Sequence, residues 1–192
     1  MVIEPLTFES TPLEGVYVVH PKVIEDDRGF FMEVHRQDVF RDKFGPEFDF
    51  VQDNHSHSAK NVIRGLHFQW DPPMAKMMRV TQGAAFLVAV DIRKGSPALG
   101  QWFGIKANVD NKIQLLAPAG FARGFCALAD NTDVQYKCTG AYNAECESGI
   151  LWSDPAIGIE WPVKDPLLSP KDQAAQTLDQ WLRRPESDHF HY

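Results

Sequence analysis

Apolar and polar residues alternate in short runs along this chain, and turn-forming residues separate the runs almost from end to end. Period-two alternation gives an extended segment one apolar and one polar face, the signature of a half-buried β-strand. Such runs fall at 15–19, 30–34, 48–54, 62–69, 77–81, 84–91, 101–105, 112–116, 124–128, 134–138 and 149–152. Between them stand Asp26-Asp27-Arg28-Gly29, Asp71-Pro72-Pro73, Gln82-Gly83 and Gly95-Ser96-Pro97, residues suited to turns. The longest clean apolar run, Ala84 to Val90, is far shorter than the ~20 residues a membrane span requires.

Helical periodicity is scarce. Gln37 to Phe44 places Val39, Phe40 and Phe44 on one face and stops at Gly45. A second helix is predicted from Ser169 as N-cap, with Pro170 at the first helical position and Asp172 three residues after the cap. It continues through Thr177 and Leu178 to Trp181 and Leu182. Many short strands and few helices predict an all-β sandwich or barrel. With no repeat, linker or low-complexity segment, residues 1–192 read as one domain.

Composition narrows the partners. A chain of 192 residues with 44% hydrophobic residues can bury one substantial core. The net charge of -7, without a long Lys/Arg run, argues against nucleic acid as a partner. Arg28, Arg64, Lys76 and Arg123 matter more than the total, because a positive cleft on an acidic protein attracts a phosphorylated small molecule. Cys126, Cys138 and Cys146 form an odd set without C-x-x-C spacing, which points to packing and a reducing cytoplasm. Met1-Val2-Ile3-Glu4-Pro5 has neither the basic nor the apolar segment of a secretory signal, so a soluble cytoplasmic protein with no membrane partner is expected.

Alternation also proposes a polar cluster. Gly65, His67 and Gln69 share one face of their strand and Arg64, Leu66 and Phe68 the other, unless a bulge at Gly65 changes the phase. Gln52 pairs with Asn54 in the same way, Lys76 with Met78, and Tyr136 with Cys138. If these faces turn inward, His67, Gln69, Gln52, Asn54, Lys76 and Tyr136 converge in the interior, an expensive arrangement unless it binds something. Each residue also has a plainer reading. A lone strand histidine is more often structural than catalytic. Most buried tyrosines only find a local hydrogen bond. Asp172 already fits a helix start. His55 and His57 read as part of a polar loop, and the histidines of His189-Phe190-His191-Tyr192 as part of a tail.

The order Arg64-Gly65-Leu66-His67-Phe68-Gln69, Lys76, then Pro118-Ala119-Gly120-Phe121-Ala122-Arg123-Gly124-Phe125 resembles the two half-motifs of a cupin barrel. The four places where a metal cupin has its ligands read His67, Gln69, Lys76 and Arg123. A divalent ion beside Lys and Arg would meet charge repulsion that coordination could not offset. Neither a metal nor another cofactor is expected. The chain as a whole, from about Leu13 to about Leu182, resembles the dTDP-4-dehydrorhamnose 3,5-epimerase family of non-metal cupins. Matching stretches include Asp27-Arg28-Gly29-Phe30-Phe31-Met32-Glu33, Phe50-Val51-Gln52-Asp53-Asn54-His55-Ser56 and Val90-Asp91-Ile92-Arg93-Lys94-Gly95-Ser96-Pro97. Later ones are Ile150-Leu151-Trp152-Ser153-Asp154, Ile157-Gly158-Ile159-Glu160-Trp161-Pro162 and Ser169-Pro170-Lys171-Asp172.

The resemblance implies a jelly-roll cupin barrel with a few short helices, including one near the C-terminus. It implies an isomerase that converts dTDP-4-dehydro-6-deoxy-D-glucose to dTDP-4-dehydro-L-rhamnose through an enolate. His67 would be the base, Asp172 its orienting carboxylate, Lys76 the enolate stabiliser and Tyr136 the acid on the opposite ring face. Arg28, Glu33, Gln52, Asn54, Arg64, Arg123, Glu147 and Lys171 would hold the nucleotide sugar. A homodimer is implied, with the segment Arg28 to Glu33 completing the partner's site. Arg123 departs from the family, which has His there, and keeps open a mono-epimerase acting at C3 or C5 of a related sugar. A 3,4-ketoisomerase would carry His in place of Gln69. A binding module without catalysis would not need base, acid and enolate stabiliser together.

The cationic replacements at the ligand places predict that chelators leave activity unchanged. Elemental analysis of the purified protein should find no stoichiometric metal. One tightly bound transition metal per chain, with activity lost on its removal, would contradict this reading.

Overall fold

The computed structural model describes residues 5–192, so residues 1–4 of the segment read for a secretory signal lie outside it. The strands are β1 (Leu6–Ser10), β2 (Tyr17–Pro21), β3 (Val23–Asp26), β4 (Gly29–Met32), β5 (Gln52–Ser58), β6 (Ile63–Gln69) and β7 (Lys76–Gln82). They continue as β8 (Ala84–Asp91), β9 (Trp102–Asn108), β10 (Gln114–Ala117), β11 (Phe121–Ala127), β12 (Thr132–Cys138) and β13 (Glu147–Gly149). Helices are short: α1 (Gln37–Phe44), α2 (Pro170–Gln173) and α3 (Leu178–Leu182). The expected all-β architecture with a few short helices is present.

A six-stranded sheet in the order β1-β2-β10-β7-β12-β5 faces a five-stranded sheet in the order β13-β6-β11-β8-β9. Alternation builds the space between them. Val18, Met78, Val80, Leu87, Leu115, Phe121, Phe125 and Val134 pack face to face there. The outer faces are covered too. Leu66, Phe68, Val88 and Val90 of the five-stranded sheet meet Trp181 of α3, Ile157 and Phe190. Leu6, Val19, Met77 and Leu116 of the other sheet lie under Phe40 of α1 and Phe48. Burial on both faces explains why β8 reads as a continuous apolar run. The polar site occupies the end of the inter-sheet space that apolar side chains leave open.

One local device sets the phase of the key strand. Gly65 has φ of +139°, and a Cβ there would lie 2.6 Å from the Cα of Gly124. The β6–β11 register shifts at this point, pairing Arg123 with His67 but Phe125 with Arg64. The bulge therefore exists, and Arg64 joins His67 at the cavity although strict alternation separates them.

Several boundaries differ from the sequence reading. The run 48–54 is partly a 3₁₀ turn, Pro46–Phe48, because Pro46 favours the first position of such a turn. Lys112 adopts a left-handed φ of 54°, which holds it out of the ladder, and β10 starts at Gln114. The expected single C-terminal helix is two. Thr177 breaks it by capping α3, where its hydroxyl accepts from the Gln180 N–H and Gln180 Oε1 accepts from the Thr177 N–H in return. His55 and His57 are on β5 rather than in a loop, both against Asp133. Residues 189–192 are no plain tail. Phe190 is buried, Lys94 bridges His191, and the Tyr192 hydroxyl donates to Glu14 at 2.6 Å. β1 and β3 were not expected; each is a short, mostly exposed strand with little apolar signal.

Candidate active site

A cavity of about 470 Å³ opens between the sheets, with Arg64 and His67 from β6, Lys76 from β7, Arg123 from β11 and Tyr136 from β12 on its walls. Glu147, Lys171 and Asp172 close one side. A neighbouring space of about 320 Å³ shares His67, Lys76, Tyr136 and Glu147 and adds Gln52 and Asn54. The shared walls make one elongated cleft.

At its centre His67 Nε2 lies 2.6 Å from Asp172 Oδ1. A carboxylate only accepts, so Nε2 carries the hydrogen and Nδ1 keeps the lone pair of a base. Asp172 holds two jobs that the sequence posed as alternatives. Its backbone N–H donates to the Ser169 hydroxyl that caps α2, while its buried carboxylate turns to the histidine. Burial pushes this carboxyl upward. Hydrogen bonds from His67, Ser169 and the Gly65 backbone outweigh burial and hold it below the ordinary carboxylate range. The acid stays ionised, ready to stabilise a protonated imidazole.

Tyr136 faces His67 from the other sheet, and Lys76 stands beside it with Nζ 5.4 Å from the ring centroid. Burial, first of all, pushes the Tyr136 hydroxyl upward, so it holds a proton it can give. Lys76 is pushed down to about 8, by burial first and then by the charge of Arg123. A base on one sheet thus faces a proton donor and an ammonium group on the other across one space.

The dTDP-4-dehydrorhamnose 3,5-epimerase family model matches residues 10–180. The chain belongs to this family. A dTDP-4-dehydrorhamnose 3,5-epimerase of Shigella flexneri is 51% identical over 164 residues, which cover 85% of this chain and 91% of that one. A Legionella pneumophila dTDP-6-deoxy-D-glucose-3,5-epimerase, solved in complex with dTDP-4-keto-L-rhamnose, superposes with a TM-score of 0.90 at 40% identity, covering 97% and 98% of the two chains. A dTDP-4-dehydrorhamnose 3-epimerase of Streptomyces niveus is 37% identical over 167 residues, covering 86% and 81%.

The epimerase fold brings most of the expected site residues together, but not all. Arg64 is braced at the rim by the Ser58 hydroxyl at 3.1 Å and the His57 carbonyl at 3.0 Å. Glu147 accepts from Lys171 Nζ at 2.5 Å and from the Tyr142 hydroxyl at 3.0 Å. Gln52 donates to Asn54 at 3.1 Å, and Asn54 donates to the Cys138 sulfur at 3.5 Å. Gln69 faces the cleft with its amide already committed, donating to the Pro72 and Ala141 carbonyls and accepting from the Asn143 N–H. It ties loops together. Arg28 and Glu33 do not reach the cleft of their own chain. Arg28 is exposed on the β3–β4 turn against Asp26, and Glu33 lies near Arg36. The sequence reading missed the wall formed by Leu167 and Leu168. Their segment has no periodic pattern and pairs with β6 only through isolated bonds such as Ile63 N–H to the Leu167 carbonyl.

The dual position of Asp172 yields a prediction. Asp172→Asn should lower turnover by roughly 10⁴-fold, the scale seen when a His-paired carboxylate loses its charge. Stability should change by only about 1 kcal/mol, because Ser169 keeps the cap. Kinetics and thermal melts on the same preparation check this, and a normal turnover number would remove Asp172 from the dyad.

Proposed function

We propose that this protein, acting as one domain over residues 1–192, inverts C3 and C5 of dTDP-4-dehydro-6-deoxy-D-glucose to give dTDP-4-dehydro-L-rhamnose. The observation that carries the proposal is the placement of His67, paired with Asp172 of α2, on one sheet and of Tyr136 on the other, with Lys76 beside Tyr136. Inversion at a carbon next to a ketone needs this layout. The base takes the proton from one ring face, the electron pair moves onto the C4 oxygen, and an acid returns a proton to the other face. His67 Nδ1 receives the first proton, with Asp172 holding the resulting imidazolium. Lys76 meets the oxygen charge. Tyr136 supplies the second proton.

Arg64 and Lys171, with Glu147, Gln52 and Asn54 near them, form the polar rim that holds the nucleotide end. Arg64 provides the planar fork that suits a diphosphate. The β3–β4 ribbon supports a homodimer. Ile24, Phe30 and Phe31 on it are 57%, 56% and 68% exposed, an apolar surface that a second copy would cover. In that arrangement Arg28 and Glu33 serve the partner's cleft. The protein works in the cytoplasm, where its thiols stay reduced.

Arg123 favours one second reading, a mono-epimerase. Incubation of the wild-type protein with dTDP-4-dehydro-6-deoxy-D-glucose in heavy water separates the two. Deuterium at both C3 and C5, with both centres inverted, is expected. Label and inversion at one carbon would establish the mono-epimerase, and no label at either carbon would overturn the proposal.

A further inference from the structure

Arg123 is 3% exposed, on the cavity wall and opposite His67 in the β6–β11 register. Its Nη1 donates to three backbone carbonyls, Met74 at 2.7 Å, Pro118 at 3.2 Å and Ala117 at 3.5 Å. Those bonds fix the guanidinium without neutralising it. Its Nε and Nη2 are buried and have no hydrogen-bond partner among the described residues. The carboxylates of the cleft are engaged elsewhere, Asp172 with His67 and Glu147 with Lys171. A brace between the loop before β7 and the end of β10 would use Nη1 alone and would not need a charge. Two idle donors on a buried cation are costly unless an anion completes them.

We propose that Arg123 is a second cation acting on the enolate oxygen, sharing with Lys76 the charge that appears there as the substrate loses its proton. The assignment rests on the epimerase reading. In the step concerned the C–H bond breaks and its proton goes to His67. Its electron pair forms the ring C=C bond, and the carbonyl π pair moves to the C4 oxygen. Lys76 meets that oxygen, and the uncompensated charge of Arg123 in the cavity wall stabilises it from behind. When Tyr136 returns a proton to carbon, the pair flows back and the carbonyl re-forms.

The shared duty sets a pH signature. Lys76 is faced by Arg123 from β11, Tyr136 and Cys138 from β12, Glu147 from β13, and His67 and Lys171 from β6 and α2. Burial and the Arg123 charge bring its ammonium down to about 8, whereas Arg123, lowered by burial to about 10, stays charged well beyond that. Above pH 8 the site loses one cation and keeps the other.

The test is the rate of solvent deuterium exchange into the 4-keto sugar from pH 6 to 9.5, for wild type and Arg123→Gln. At sub-saturating sugar, where the profile reports the free enzyme, wild-type exchange should fall through a midpoint near pH 8 to a residual plateau rather than to zero. Arg123→Gln should exchange roughly 10²–10³-fold more slowly at neutral pH, the usual loss for one oxyanion donor. Its alkaline midpoint should move up, because the charge that opposes Lys76 protonation is gone, and the plateau should vanish. If circular dichroism shows that Arg123→Gln does not fold, Arg123→His takes its place, since a neutral imidazole at pH 8–9 should give the same upward shift. A folded variant with wild-type rate and midpoint would overturn the assignment and leave Arg123 as a brace. If wild-type protein exchanges nothing, the epimerase reading falls, and this assignment with it.

Discussion

The contact between Gly65 and Gly124 is the constraint on which the site depends. The two backbones approach so closely that a Cβ on Gly65 would lie 2.6 Å from the Gly124 Cα, and one on Gly124 would lie 2.7 Å from the Arg64 carbonyl oxygen. Glycine alone accepts both the approach and the positive φ at residue 65. The resulting bulge turns Arg64 and His67 to the same cavity while Leu66 and Phe68 stay in the outer core. The same segment supplies the Gly65 N–H that helps keep Asp172 ionised. Packing, strand phase and the electrostatics of the dyad therefore share one origin.

Electrostatics complete the picture. A protein with a net charge of -7 gathers Arg64, Lys76, Arg123 and Lys171 around one cleft. Burial lowers Lys76 and Arg123 and raises Tyr136. For the two cations, an anionic ligand, or an anion formed during reaction, offsets the cost that burial imposes, and the same anion keeps the Tyr136 hydroxyl protonated. Binding and chemistry thus draw on the same desolvation.

Much of this was legible in the sequence because strand alternation is local. The pairs Lys76/Met78 and Gln52/Asn54, the strand around His67 and the limits of α1 follow from period and turn residues alone. The inward convergence of His67, Lys76 and Tyr136 held. What was not legible depends on contacts across the chain. Gln69 looked like a site residue but spends its amide on loops at 72 and 141–143. The break before α3 answers to Thr177 and to Asp154, whose carboxylate accepts from the Leu178 N–H at 2.6 Å. Arg28, on the exposed β3–β4 turn, and Glu33, half-buried just after β4, were named through family resemblance and do not line their own cleft. The two roles of Asp172 could not be separated from sequence, because one residue fills both.

The central claim is that two side chains on opposite sheets, His67 and Tyr136, move protons on opposite faces of one substrate. Tyr136→Phe tests it most directly, since only the hydroxyl is removed. The measured quantity is the ratio of deuterium incorporation to epimer formation in heavy water, for mutant and wild type. Removal of a positioned acid should slow inversion by roughly 10²–10⁴-fold. Exchange through His67 should fall much less, so the ratio should rise. A ratio that stays constant while both rates fall together would contradict the account and shift attention to Tyr142, which bonds to Glu147 beside the same cleft.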